Sequence, residues 1–379
     1  MNQHNNQPKR VAVIGCGRVA ESHLRAIRHL RGRLVLCGLA DTDTTRATTL
    51  WKQSGIRLEK EGTAPGIYAD YRTMLEAEHP DLVAITTPSG THADMGIDCM
   101  RAGAHLVMEK PMTMSLGEAD QLLAVAGETG RRIAVGHKFR YVPPMRALHA
   151  ALSAGLIGDL LQGRVHVRWG HDQAYYEQAA WRGTWRMDGG ALMNQSIHGL
   201  DLLLWLMDSP VRRATGLIAR RAHRMEAEDL GCAVLELQSG ALCLVEGTTN
   251  TSPQRQEAKI ALTGTRGTVT AGIRAGRPSL SIRDERGKDR TGRFLARVLR
   301  DHAQRHRLGE LAHIASPHTL LYADFVDGWA EGRPPLADGA SGRAAVEAVL
   351  AVYRSALEDR PVELPLQGFT LDQMEGFFD

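Results

Sequence analysis

Val11-Ala12-Val13-Ile14-Gly15-Cys16-Gly17-Arg18-Val19-Ala20 decides the fold. The continuous apolar run Val11 to Ile14 is what a strand buried on both faces requires, and it ends in the pattern G-x-G-x-x-A. Gly15 permits a tight turn. Gly17 lets a pyrophosphate approach the backbone, Arg18 and Val19 carry the chain round, and small Ala20 allows a helix to pack closely on the strand. That helix opens with its N–H groups turned toward the phosphates. Gly15, Gly17, Arg18, Val19 and Ala20 are therefore candidate cofactor-binding residues.

Outward from this stretch the next segments fit the same unit. Glu21 to Leu30 has helical spacing at Leu24, Ile27 and Leu30, and Leu34 to Ala40 is a second apolar strand ending in Asp41. An acid at that distance can hold both ribose hydroxyls of a dinucleotide. It repels the extra phosphate of NADP, so NAD is the expected cofactor, with Arg46 the one feature that favours NADP. Asp41 has a plainer alternative as the N-cap of the helix that follows.

The alternation of strand and helix continues through Leu82 to Thr86, the turn Thr87-Pro88-Ser89-Gly90-Thr91-His92, a helix to Met100, and the strand that ends in Met108-Glu109-Lys110-Pro111. Such a series predicts a doubly wound parallel sheet. Ligands of these sheets collect outside the carboxyl ends of the strands, so Thr87, Pro88, His92, Glu109 and Lys110 fall on the cofactor edge. For His92 a capping or packing role is the alternative; for Lys110 it is a solvated turn.

Gly15-x-Gly17-x-x-Ala20, Asp41, Thr87-Pro88-x-x-x-His92 and Glu109-Lys110-Pro111 together resemble, in order and spacing, the glucose-fructose oxidoreductase / inositol dehydrogenase / rhizopine-catabolism (Gfo/Idh/MocA) family. The resemblance implies an N-terminal Rossmann domain, followed by an α/β domain with a large, mostly antiparallel open sheet that floors the substrate site and packs subunits together. It also implies that Lys110 lies beside the nicotinamide and the substrate hydroxyl, and that Arg140 lies near both.

The expected organisation is a disordered leader over 1–10, an NAD-binding domain over 11–137 and a substrate-binding and oligomerisation domain over 138–379. Within the latter, Tyr175 to Trp185 reads as a loop, followed by Trp185-Arg186-Met187-Asp188-Gly189-Gly190-Ala191-Leu192-Met193-Asn194-Gln195-Ser196-Ile197-His198-Gly199-Leu200-Asp201. Downstream of Gly190 this reads as helix, which puts Asn194 and His198 on one face and Asp201 three residues beyond. A polar stripe on an otherwise apolar helix is costly to bury unless it is paired or functional.

The family motif makes Asn194 and His198 catalytic candidates and Trp185, Arg186, Asn194, Gln195, His198, Lys110, Arg140 and His318 substrate contacts. Much of the family has aspartate at Asn194. An amide cannot accept a proton, so proton transfer falls to His198 and Lys110, with Asn194 orienting a hydroxyl. The string Asn194 to His198, with Asp201-Leu202-Leu203-Leu204-Trp205, is most similar to the branch acting on UDP-N-acetylglucosaminuronic acid.

Composition narrows the remaining classes. A chain of 379 residues suits two domains. A net charge of +3 implies neither a nucleic-acid nor a membrane partner, and no apolar run reaches a membrane span. Five cysteines without C-x-x-C spacing indicate neither a disulfide frame nor a metal site, and suit a reducing cytoplasm. Between Arg283 and Arg307 nine Lys/Arg face four acids; a solvated helix and a clamp for a diphosphate are both open readings.

The expected activity is NAD-dependent oxidation of a secondary hydroxyl on a sugar, nucleotide-linked above all, by a homo-oligomer. Dehydrogenation of inositol or a free sugar, reduction of a keto-sugar, and a non-catalytic NAD-bound sensor stay open.

Overall fold

The computed structural model describes residues 7–56, 64–305 and 316–379, with side chains of the segment 301–305 left aside. It divides into two compact units. The first comprises Met1–Thr113, Gly117–Tyr141 and Ala315–Gly342, and the second Met114–Leu116, Val142–Ile314 and Arg343–Asp379.

In the first unit β1 (Lys9–Ile14), β2 (Leu34–Ala40), β3 (Gly66–Tyr68), β4 (Leu82–Ile85), β5 (His105–Met108) and β6 (Ile133–Val135) pair in parallel in the order β3-β2-β1-β4-β5-β6. The order reverses beside β1, which opens a crevice at the strand ends where Gly15 lies. Between successive strands run α1 (Ala20–His29), α2 (Thr44–Gln53), α3 (Tyr71–Glu78), α4 (His92–Arg101) and α5 (Leu116–Thr129). Because β1 and β4 are covered on both faces, their residues split between two apolar clusters: Val11, Val13, Leu82 and Ala84 on one side, Ala12, Ile14, Val83 and Ile85 on the other.

In the second unit β7 (Leu160–Arg168), β8 (Val211–Ala219), β9 (Leu230–Leu237), β10 (Leu242–Thr248), β11 (Glu257–Gly264), β12 (Gly267–Arg274), β13 (Arg277–Asp284) and β14 (Val362–Glu363) form a sheet in the order β13-β12-β11-β7-β10-β9-β8-β14. All pairings are antiparallel except β10 with β7. Its helices are α6 (Pro143–Ser153), the short α7 (Gln173–Glu177), α8 (Ile197–Met207) and α9 (Thr291–Arg305). One sheet face is covered: a Cβ at Gly199 of α8 would lie 2.7 Å from Val167, and one at Gly216 of β8 2.5 Å from Val352. The strands alternate accordingly, with Val165, Val167, Ala233 and Leu235 buried and Leu217, Val234 and Leu242 exposed.

Two later helices, α10 (Pro317–Glu331) and α11 (Gly339–Glu358), complete the chain. The expected division at residue 138 leaves α10 with the second domain, whereas the compact units group it with the first. Residues 315–342 fold with the first unit, because α10 buries Leu321, Tyr322 and Phe325 in the cluster that also holds Leu24 and Ile27 of α1. Lys9 and Arg10, expected in the leader, stand in β1, and Arg10 donates its N–H to Asp81 at 2.8 Å and pairs with Glu78 at 2.7 Å, while residues 1–6 lie outside the described residues. Of the basic run, Arg290 pairs with Asp284 at 2.7 Å, Arg293, Arg297 and Arg300 are exposed along α9, and Arg307 lies outside the described residues. No described helix is long and apolar enough to cross a membrane.

Candidate active site

In the first unit the glycine-rich turn is built against the next strand end. Gly15 has φ +87°, which an L side chain rarely adopts, and a Cβ there would lie 2.8 to 2.9 Å from Thr86 and Thr87. Asp41 ties the turn down: one oxygen accepts the N–H of Cys16 at 2.7 Å and the other the N–H of Asp43 at 2.9 Å. The N-cap role falls to Asp43, whose side chain accepts from the N–H of Thr45. Each Asp41 oxygen keeps a second lone pair for a ribose hydroxyl.

These residues fit a dinucleotide. A Cβ at Gly17 would meet nothing within 4 Å, so the backbone there is open to a close approach. Helix α1 begins at Ala20 without a side-chain cap, and a cavity of about 350 Å³ beside it is lined by Gly17, Arg18, Thr45, Arg46 and Leu50.

Three residues expected to touch ligand have side chains engaged within the protein. His92 is buried, with Nδ1 at 2.9 Å from the carbonyl of Pro111 and Nε2 at 3.0 Å from that of Thr87, so it staples two cofactor-edge turns together. Burial pushes its pKa below the ordinary histidine value although both carbonyls oppose this. Pro88 closes the same turn through its carbonyl, which accepts from the N–H of Thr91 at 3.0 Å.

Glu109 and His318 are the second and third. The Glu109 Oε1 receives the Nε2 of His23 at 3.1 Å and that of His318 at 3.3 Å. Burial alone would raise this carboxyl; the hydrogen bonds from His23 and His318 outweigh it and hold the group well below the usual range. Tyr322 Oη lies 2.8 Å from His23 Nδ1. Among the described residues, His23, Glu109 and His318 have ligand-type atoms within 4.8 Å of one another and the composition to hold a divalent ion. Lys110 itself is half-buried and Arg140 buried, with one Arg140 nitrogen 3.2 Å from the carbonyl of Leu336.

In the second unit the expected helix begins as a π-helical turn, Ala191–Ser196, and becomes α8 at Ile197. Such turns absorb an extra residue and gather at functional sites. No side chain caps the turn at Gly190; Glu228 serves it from β9's approach. The Glu228 carbonyl accepts the N–H of Ala191 at 2.8 Å, and its Oε1 accepts the N–H of Leu192 at 2.8 Å and the hydroxyl of Tyr353 at 2.9 Å. Burial raises the Glu228 carboxyl to about 8.

Asn194 and Gln195 are half-buried on this turn and His198 is buried on the first turn of α8, with the Trp169 ring edge-on at 6.4 Å. Asn194 donates its amide to Asp188, and its Oδ1 accepts from Gln195 at 2.7 Å. Asp188 in turn accepts the N–H of Gly183 at 2.8 Å. Sequence reasoning passed over both Asp188 and Glu228. Asp188 stands six residues before Asn194 with no periodic relation to it, and Glu228 is 36 residues from Leu192. Arg186 is exposed. Trp185, expected as a substrate contact, is 1% exposed, with the Tyr353 ring edge-on at 5.1 Å.

The comparisons with known proteins agree with this architecture. Residues 9–137 match the model of the oxidoreductase family with an NAD-binding Rossmann fold, and residues 145–270 match the GFO/IDH/MocA C-terminal domain. The chain is 28% identical over 239 residues to D-apiose dehydrogenase of Paraburkholderia graminis, a match covering 62% of this chain and 59% of that protein. It is 24% identical over 365 residues to myo-inositol 2-dehydrogenase of Thermotoga maritima, covering 94% and 98%. Among solved structures, the WlbA dehydrogenase of Chromobacterium violaceum, in complex with NADH and UDP-GlcNAcA, superposes with a TM-score of 0.82 at 29% identity, covering 96% of this chain and 98% of that one. WlbA of Bordetella pertussis, in complex with the same two ligands, gives a TM-score of 0.82 and 29% identity over 96% and 99%.

Proposed function

The chain belongs to the GFO/IDH/MocA family of NAD-dependent oxidoreductases, and from that premise we propose that it oxidises a secondary hydroxyl of a nucleotide-linked sugar of the UDP-N-acetylglucosaminuronate type. The observation that carries this reading is the Asn194-Gln195-Ser196-Ile197-His198 turn, within a chain 29% identical over 96% of its length to dehydrogenases crystallised with that ligand.

NAD, when bound, supplies the hydride acceptor. The turn Gly15 to Ala20 and Asp41 hold its pyrophosphate and ribose. His198 takes the hydroxyl proton as general base, and Lys110 donates a hydrogen bond to the oxyanion that develops. Asn194 orients the substrate: with its amide given to Asp188, its carbonyl oxygen is the end turned to hydroxyl donors, an arrangement that Gln195 shares. Arg140, Arg186 and Gln195 complete the proposed substrate contacts.

The test is NADH formation by the purified protein with UDP-N-acetylglucosaminuronate, UDP-N-acetylglucosamine, myo-inositol and D-apiose. The acid sugar nucleotide is expected to give the highest kcat/KM by about two orders of magnitude or more, since each lost charged contact removes about 1.5 to 3 kcal/mol. A kcat/KM for myo-inositol equal to or above it would overturn the substrate assignment. Myo-inositol is the rival that the 24% identity over 94% of the chain favours.

The reading includes a homo-oligomer formed through the open face of the large sheet. That face exposes Leu217 at 70%, Leu242 at 49% and Val234 at 42%, an apolar set that water does not favour. Light scattering on the purified protein is expected to give twice or four times the chain mass; a monomer at micromolar concentration refutes it.

A further inference from the structure

Burying an ionised carboxylate is costly unless hydrogen bonds compensate, and Glu109 is buried with its compensation drawn from two distant helices. An ionised carboxylate accepts and cannot donate. His23 therefore carries its proton on Nε2, facing Glu109, and presents a bare Nδ1 to Tyr322, whose hydroxyl donates across 2.8 Å. His318 donates to the same oxygen from the opposite side. The second carboxylate oxygen lies 3.3 Å from the N–H of Lys110, and a Cβ on Gly136 would sit 3.1 Å from it, so nothing larger fits beside the group.

We infer that Tyr322, His23 and His318 form with Glu109 a buried hydrogen-bonded chain that positions Lys110 through its backbone N–H, fixing the direction in which its side chain leaves the end of β5. Helices α1 and α10 thus act on the chemistry without touching substrate. Tyr322 locks the His23 tautomer. His23 and His318 hold the carboxylate ionised and aimed. The inference rests on the proposed role of Lys110.

The test measures kcat, KM, the NAD dissociation constant and Tm for the wild type, Glu109→Gln, Tyr322→Phe, His23→Gln and His23→Leu. Glu109→Gln is expected to lower kcat by about tenfold to a hundredfold with KM and NAD binding each changed by less than about threefold.

Tyr322→Phe, which removes a single hydroxyl, lowers kcat in the same way by less, and stands in if Glu109→Gln does not fold. His23→Gln keeps an N–H for Glu109 and is expected to recover most of what His23→Leu loses. A kcat unchanged in both Glu109→Gln and Tyr322→Phe, or equal losses in the two His23 variants, overturns the inference. So does stoichiometric zinc that copurifies with the wild type and is absent from Glu109→Gln. If these variants turn over normally while Lys110→Ala does not, the positioning chain fails and the function stands; if Lys110→Ala itself turns over normally, the functional reading fails.

Discussion

Lys110→Ala and His198→Ala are each expected to reduce turnover of the UDP-sugar by two orders of magnitude or more, leaving NAD binding intact. Loss of a positioned acid or base costs about a hundredfold to ten-thousandfold. Cofactor affinity survives because the turn from Gly15 to Ala20 and Asp41 contain neither residue. The two variants should differ in character. Without His198 the hydroxyl proton has no imidazole to receive it, so turnover recovers as solvent hydroxide rises with pH. Without Lys110 the oxyanion loses its donor, and pH offers no remedy. Single-turnover NADH formation in both variants across pH 6 to 10 is the measurement. Unchanged turnover in either sinks that residue's assigned role.

Gly190→Ala has the second largest expected effect, this time on stability. A Cβ at that position would fall 1.9 Å from Glu228 Oε2 and 2.2 Å from the Glu228 carbonyl oxygen, one of them backbone and unable to swing away. The first turn of the π-helix must then leave Glu228, taking its two N–H bonds with it, at a cost on the order of 3 kcal/mol. Thermal unfolding of the variant, compared with wild type, reads it directly; an unchanged Tm would refute the clamp.

Glu228 also gives this region a pH signature. Its carboxyl is raised to about 8 in the fold and returns to the ordinary 4.5 when the chain unfolds, so the folded state binds the extra proton. Its contribution to stability is complete below pH 4.5 and is lost as pH rises toward about 8, with a slope of at most about 1.4 kcal/mol per pH unit. Glu228→Gln should lose that slope and retain the hydrogen bond from Leu192.

Much of the first unit was legible because its signals are local. Glycines in a fixed turn, an acid at the end of the next strand and a lysine before a proline each follow from what the backbone allows within a few residues. The helix downstream of Gly190 was legible for the same reason, since its apolar spacing is local. The π-turn was not, because an inserted residue in a helix leaves no periodic trace once the flanking positions are apolar.

By itself, then, the sequence determined the Rossmann turn with its cofactor class, the strand-end lysine and a helix downstream of Gly190. Tertiary structure alone decided who their partners are. His318 and Tyr322, read as part of a second domain, return to the first unit on α10 and meet Glu109 and His23 across separations of 209 and 299 residues. Asp188 and Glu228, unremarkable in the chain, hold Asn194 and the turn it sits on. The reason is physical. Backbone conformation follows nearest neighbours, but a buried polar atom must find a hydrogen bond wherever packing delivers one, and only the folded chain specifies that place.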